Sequence, residues 1–425
     1  MFGKICALGS FLLALSHPAL AFELKLNIPD HVCALPKLVA DGKTLQTDQI
    51  QKAIDQCAQQ GGGTLRFPAG QYLSGPLFLR SNMRLQFEAG AKLLASSERE
   101  IYRVTPQNEK YAVMQGWIAF LNAVDEHDIA LSGPGVIDGQ GQPWWDYYLQ
   151  KSGKSTPTNR PRLVYFGRVK NALLEDVTLT NSPSFHFVPH ASENIEVNRV
   201  KIIAPAHSPN TDAIDPSNTR NMLIHNCMID TGDDNIAIKA GSIDPLHPGA
   251  AVENITVADC VFRAGHGASI GTETMGGVRN VVFERIRFIG TDHAVRIKSS
   301  RKRSGEIRNV VYRDLTLENV GDAILITGYY PRIPDASQDV AQSYVPSTPY
   351  FHDVIVQNVH GSSQEPGYIV GLPERTFNAI RLDNVHLETS GPLPVRNASV
   401  SLHDVKIGNG TSPISLETQA EAVNK

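Results

Sequence analysis

The chain has 425 residues, 41% hydrophobic and 19% charged, and its 39 Lys and Arg against 43 Asp and Glu leave a formal net charge of -4. So small a net charge gives no electrostatic case for nucleic acid or for an anionic membrane surface as partner. Length alone would suggest two or three domains, a prior that repeat architectures override.

The first residues read as an export signal. Lys4 is a short basic region, Ile5 to Leu15 is mostly apolar, and Ala19-Leu20-Ala21 supplies the small residues of a cleavage site. Cleavage after Ala21 is expected, with residues 1–21 as signal and 22–425 as one mature domain, secreted or periplasmic. The apolar run is too short to span a bilayer, and no second candidate follows. Of the cysteines, Cys6 leaves with the signal while Cys33, Cys57, Cys227 and Cys260 remain. Export permits disulfides, and Cys33 and Cys57 lie close enough in sequence to bridge. The absence of a C-x-x-C pair disfavours a zinc site.

Leu38 to Gln59 reads as an extended piece and then a helix. Thr47 is the expected N-cap, Asp48 favours the first turn, and Ile50, Ile54 and Cys57 share a face. Gly61-Gly62-Gly63 ends it, and Thr64 to Gly70 is a strand entering a turn. Such a helix suits the open end of a stacked sheet, as terminal capping units do. Between Glu98 and Arg162 the pattern weakens. Gly133 to Gly141 is a strand bracketed by turns, and Trp144, Trp145, Tyr147 and Tyr148 are expected in a loop, where packing onto the body is the first reading and stacking on sugar faces the alternative.

From Asn171 the chain repeats. Lines begin at Asn171, Asn194, Asn221, Asn254, Asn280 and Asn309, with further copies at Asp353, Ala379 and Ser399, at intervals mostly of 20 to 33 residues. Each line alternates or is β-branched, and no helical segment separates the lines. An α/β sheet is therefore disfavoured, and an all-β, single-domain parallel β-helix is expected, one coil per repeat. Six residues after each anchor come Val177, Val200, Cys227, Cys260, Ile286, Leu315, Val359, Val385 and Val405, an apolar inward column. Cys227 and Cys260 share that slot in successive coils and read as core residues, with a bridge between them as the alternative. Ser401 onward reads as a polar tail.

A second strand in each coil aligns Ile238, Ile270, Ile297 and Ile326. That alignment brings Asp212, Asp234 and His266 into one column on three successive coils, with Asp233 one residue to the side. Arg296 and Lys298 flank an inward Ile297, so the period of two sends both outward on one face. Arg301-Lys302-Arg303 follows, and Lys239 occupies the Lys298 slot two coils earlier. Taken singly, Asp233-Asp234 fits a turn, His266 a structural histidine and Arg296-Ile297-Lys298 plain alternation. Their occurrence together in one register is what points to a site. Crowded carboxyls push at least one pKa up, which supplies an acid beside a base. Such a pair is the apparatus of glycoside hydrolysis, and the cations suit an anionic, carboxylate-bearing substrate.

Asn210-Thr211-Asp212, Gly232-Asp233-Asp234, Gly265-His266-Gly267 and Arg296-Ile297-Lys298, in this order and spacing, resemble the four signature motifs of the polygalacturonases of glycoside hydrolase family 28. The resemblance runs from about Val39 to Asn397 and includes Ile137 to Gly141 and Trp144-Trp145. It implies a right-handed parallel β-helix acting on polygalacturonate or pectin oligosaccharides, without metal or other cofactor, and a monomer is expected. It also implies roles: Asp233 as general acid, Asp212 and Asp234 on the attacking water, His266 keeping the acid protonated. Arg296 and Lys298 would bind substrate carboxylates, Asn210 would line the site, and Tyr330, with Tyr329 as rival, would contact substrate. Endo action is the expectation. Exo action or rhamnogalacturonan hydrolysis is the alternative, followed by a calcium-dependent pectate lyase and a non-catalytic polysaccharide-binding β-helix.

Overall fold

An asparagine turns the chain at the start of each repeat line. Asn171, Asn194, Asn221, Asn254, Asn280 and Asn309 all have φ between 53 and 60°, the left-handed region that Asn tolerates better than most residues. Each side-chain amide donates to the amide oxygen of the asparagine one coil earlier, at 2.9 to 3.2 Å, from Asn194 up to Asn309. Asn171 closes the lower end of this ladder on Asp128. The residues that marked the repeat thus also hold it, at one half-buried corner.

The computed structural model describes residues 23–112, 116–151, 159–241 and 251–424. The expected export signal and Cys6 lie outside them. The described coils stack as parallel strands in three columns. In the first, Ile195, Met222, Ile255, Val281, Val310 and Val354 pair in succession. In the second, Ile202, Ile229, Phe262, Phe288 and Leu317 do so. In the third, Phe187, Ile214, Ile236, Ala268, Val295 and Ile324 do so. The result is a parallel β-helix in one domain, its core a single apolar cluster running the length of the stack. The inward column read from the sequence is buried from Val177 through Val385, and only Val405 is partly buried against the core. Ile238, Ile270, Ile297 and Ile326 are fully buried and paired in register.

Helix α1 (Thr47–Gln59) buries Ile50, Ala53, Ile54 and Cys57 over the first coils. A Cys33–Cys57 disulfide ties it down. Thr47 is not its N-cap: Gln46 holds that position without a side-chain bond, and Thr47 Oγ1 instead accepts the Gly75 N–H at 2.7 Å. Cys227 and Cys260 stack as buried free thiols, with the Cys227 N–H 3.4 Å from Cys260 Sγ. The aromatic stretch forms a second helix, α2 (Gln142–Lys151), rather than a loop. Its Trp144 and Trp145 are buried, and Trp144 packs edge-on against Tyr102 and Trp117, so the packing role holds while the loop does not. Nor is the C-terminal stretch a tail. Ala398–Ile407, Ile414–Leu416 and Glu421–Asn424 continue the coils, because their apolar residues still find partners on the coil below. Among the described residues no helix is long and apolar enough to cross a membrane.

Candidate active site

The site occupies the turns that lead into the third strand column. Ile214, Ile236 and Ala268 pair in register, so Asp212, Asp234 and His266, two residues earlier in each coil, share one slot. Thr211, fully buried, links two of these turns: its hydroxyl donates to the Ser208 carbonyl and accepts the Gly232 N–H at 3.1 Å. Asn235 links the next pair, accepting the Gly267 N–H at 2.9 Å and donating to the Ala264 carbonyl. The glycines around His266 answer to crowding and conformation together. Gly265 and Gly267 have φ of 113 and 79°, and a Cβ at Gly267 would stand 2.0 Å from the His293 carbonyl oxygen.

Asp233, Asp234 and His266 meet directly. His266 Nδ1 lies 2.9 Å from Asp233 Oδ1 and 3.7 Å from Asp234 Oδ1, while its Nε2 lies 3.3 Å from Asp292 Oδ2. The Asp234 N–H also donates to Asp233 Oδ1 at 2.8 Å. Asp234 is buried and holds two cations, Arg296 Nη1 at 2.7 Å and Lys298 Nζ at 2.9 Å, each nearly as buried as itself. The Ser269 hydroxyl donates to the same carboxylate at 2.8 Å. Asp212 faces Lys239 Nζ at 3.2 Å, and Lys239 also reaches Asp215 at 2.5 Å. Lys239 therefore neutralises buried carboxylates rather than extending the cation pair. Tyr330 covers that pair, its ring centre 5.1 Å from Lys298 Nζ and 5.8 Å from Arg296 Cζ. Tyr329 is buried against Asp339 and Arg301, so Tyr330 is the tyrosine on the site. Asn210 approaches from the other side, its Nδ2 3.4 Å from Asp233 Oδ2.

All eight residues singled out in the sequence thus converge. The Arg301-Lys302-Arg303 run, which in sequence reads more readily as a solvated loop than as part of the site, is a turn with Lys302 and Arg303 exposed. Arg301 is paired with Glu374 at 2.6 Å and Arg303 with Glu273 at 3.0 Å, partners far away in sequence that no register could reveal. Ser269, Asp215, Asp292 and Arg160 were missed. Ser269 alternates with the inward Ala268 and Ile270, and that period offered a signal. For Asp215 the signal was its burial partner Lys239, visible only once the coil is folded.

The protonation states diverge. Burial lifts Asp212 well above the usual carboxylate range against the pull of Lys239, and lifts Asp215 to about 6. Burial also acts on Asp234, but Lys298, Arg296 and Lys239 outweigh it and hold the group below the ordinary range. For Asp233 burial is outweighed by the His266 hydrogen bond and charge and by the Asp234 N–H, leaving it lowered. His266 moves the opposite way: burial works against its charge, yet Asp233 and Asp234 raise it. Asp233 and His266 therefore hold a proton between them and titrate as a unit. His293, next in the column, is pushed down by burial. Asp233, Asp234 and His266 could also bring one ligand atom each within 4.8 Å of the others around a cation. A metal there would meet Arg296 and Lys298, which already occupy Asp234.

A family model described as glycosyl hydrolases family 28 matches residues 57–410. The chain is 32% identical over 378 residues to an endo-polygalacturonase of Pectobacterium carotovorum subsp. carotovorum, covering 85% of this chain and 89% of that protein. A solved polygalacturonase from Erwinia carotovora ssp. carotovora superposes with a TM-score of 0.72 at 29% identity, covering 94% of this chain and 99% of the other. A hyperthermoactive exopolygalacturonase from Thermotoga maritima gives 0.73 at 25% identity, with 94% of each chain covered.

Proposed function

The chain belongs to the glycosyl hydrolases of family 28, and from that premise we propose that it hydrolyses the α-1,4 links between galacturonic acid residues of polygalacturonate and pectin, cutting within the polymer and inverting the anomeric centre. The observation that carries this reading is the charge balance around Asp234. Two buried cations share one carboxylate, leaving one positive charge unmatched beside the acid–base groups. A substrate carboxylate supplies the match, and Arg296 offers it a planar donor fork.

In this reading water attacks the anomeric carbon as its bond to the leaving sugar breaks. Asp233 gives its proton to the leaving oxygen, and the water's proton passes to a carboxylate on the opposite face. Binding an anionic sugar raises Asp233 and favours its protonated form, while His266 stays on Oδ1, which sets the acid for transfer. Asp212 and Asp234 hold the water. Asp212, raised by burial, is the stronger base once ionised, and Asp234, bound to two cations, orients. Arg296, Lys298 and Tyr330 hold the sugar and its carboxylate, and Asn210 lines the acid. The expected export signal at residues 1–21 fits action on pectin outside the cell or in the periplasm, as a monomer. Endo action is favoured by the similarity at 32% identity to a protein named endo-polygalacturonase.

A time course of products on polygalacturonate tests the proposal. Oligomers of mixed length early in the digest are expected. Monomer or dimer alone would replace endo with exo action. Ultraviolet-absorbing unsaturated ends lost on chelation would mean a lyase, and no new reducing ends would remove the reading.

A further inference from the structure

Arg160 lies beside the acid, outside every motif. Its Nη1 donates to the carbonyls of Pro183 at 3.0 Å and Pro209 at 2.6 Å, and its Nη2 donates to Asn210 Oδ1 at 2.7 Å. The Tyr148 ring centre lies 4.0 Å from its Cζ. An arginine side chain has donors only, so the Asn210 atom facing it is the amide oxygen. That choice turns Asn210 Nδ2 toward Asp233, 3.4 Å from Oδ2.

The two oxygens of Asp233 are not equivalent. Oδ1 accepts the Asp234 N–H at 2.8 Å and faces His266 Nδ1 at 2.9 Å. With Oδ1 so occupied, the acid form carries its proton on Oδ2. An Asn210 amide turned the other way would present its oxygen to that proton and hold it. With Arg160 bound to the amide oxygen, Asn210 shows Oδ2 a donor, which leaves the proton available to the incoming glycosidic oxygen.

We propose that Arg160 is a positioning residue for the acid: by donating to Asn210 Oδ1 it fixes the amide so that the Asp233 Oδ2 proton stays available to the leaving group. The inference rests on the reading of Asp233 as the general acid. It concerns Arg160 and Asn210 acting as one device, and makes Arg160 a determinant of turnover rather than of affinity.

The test is a set of steady-state measurements on polygalacturonate with R160M, R160K, N210A, N210D and the R160M/N210A double variant. R160M is expected to lower kcat about tenfold or more with KM within about twofold, and R160K, which keeps a donor, to recover most of the loss. In the N210A background the same Arg160 change should cost less than about twofold, because the device is already gone. N210D keeps the acceptor for Arg160, adds one toward Asp233 Oδ2, and should lose kcat more heavily than N210A. It remains informative if R160M fails to fold. Equal losses from R160M in both backgrounds, a raised KM at unchanged kcat, or an N210D enzyme as active as the parent would each overturn the proposal. An active D233N enzyme would instead overturn the acid assignment, whatever the coupling between Arg160 and Asn210.

Discussion

Two corners of the same coil stack charges one above another and put them to opposite uses. Between the first and second strand columns, Asp176 pairs with Arg199 at 2.7 Å and Asp259 with Arg285 at 2.7 Å, their side chains 42 to 50% exposed. At the entrance to the third column, Asp234, Arg296 and Lys298 pair at similar distances with side chains 3 to 7% exposed. The repeat is the same and so is the spacing between coils. Water screens the Asp176–Arg199 and Asp259–Arg285 pairs of the first corner, and such exposed pairs contribute little, although Arg199 also meets Glu175 and Arg285 also meets the buried Glu284. The second corner is dry, its counts are unequal, and each proton state depends on its neighbours. A solenoid makes charge columns cheaply, and burial decides which of them becomes chemistry.

Substitutions at the dry corner should have the larger effects. Asp233→Asn should lower kcat roughly a thousandfold while the protein stays folded, since it removes the acid; near-parental turnover in a stopped assay would shift the acid role elsewhere. Lys298→Met should raise KM on polygalacturonate about 10- to 100-fold, the worth of a charge-assisted contact, and calorimetric titration with a galacturonate oligomer checks whether the loss is in binding. Lys239→Met acts through Asp212. Burial raises Asp212 and Lys239 opposes that rise, so removing the cation lifts the pKa further. The base then ionises only at higher pH, and the acidic limb of the kcat profile should move up by about one unit; an unmoved limb would remove Asp212 as the titrating base.

Away from the site the same logic predicts effects on stability alone. Asn254→Ala breaks two rungs of the amide ladder and places Ala at φ 60°, so denaturant unfolding should show a loss of about 2 kcal/mol with kcat unchanged. Arg199→Ala at the wet corner is expected to leave both activity and the denaturant midpoint where they were. A large loss from Arg199→Ala would erase the contrast between the corners.

What could be read from the sequence was what depends on period. Parallel coils in register preserve alternation, so Ile238, Ile270, Ile297 and Ile326 aligned correctly, and the column of Asp212, Asp234 and His266 followed from them. What escaped depends on reach. Arg301 meets a glutamate 73 residues away, and Arg160 finds Asn210 50 residues on through a loop; neither has a register to follow. The helix at Gln142–Lys151 was hidden for a different reason. Its aromatics at Trp144, Trp145 and Tyr148 carry a helical spacing, but a β-repeat on both sides made a loop the default. Thr47 shows the limit of local rules, since its hydroxyl serves a strand turn 28 residues away instead of its own helix.

The turns of the candidate site, with Asp212, Asp234 and His266, belong to interior coils that are each zipped to a coil on either side. In a stack where contacts are almost all between neighbours, heat loosens the outer coils before the inner ones. Fraying and functional failure should therefore be separate events. A protease nick or partial melting near an end would shorten the rod while the acid, the water-holding carboxylates and the cation pair keep their places, so residual activity on warming should outlast the first loss of β-structure.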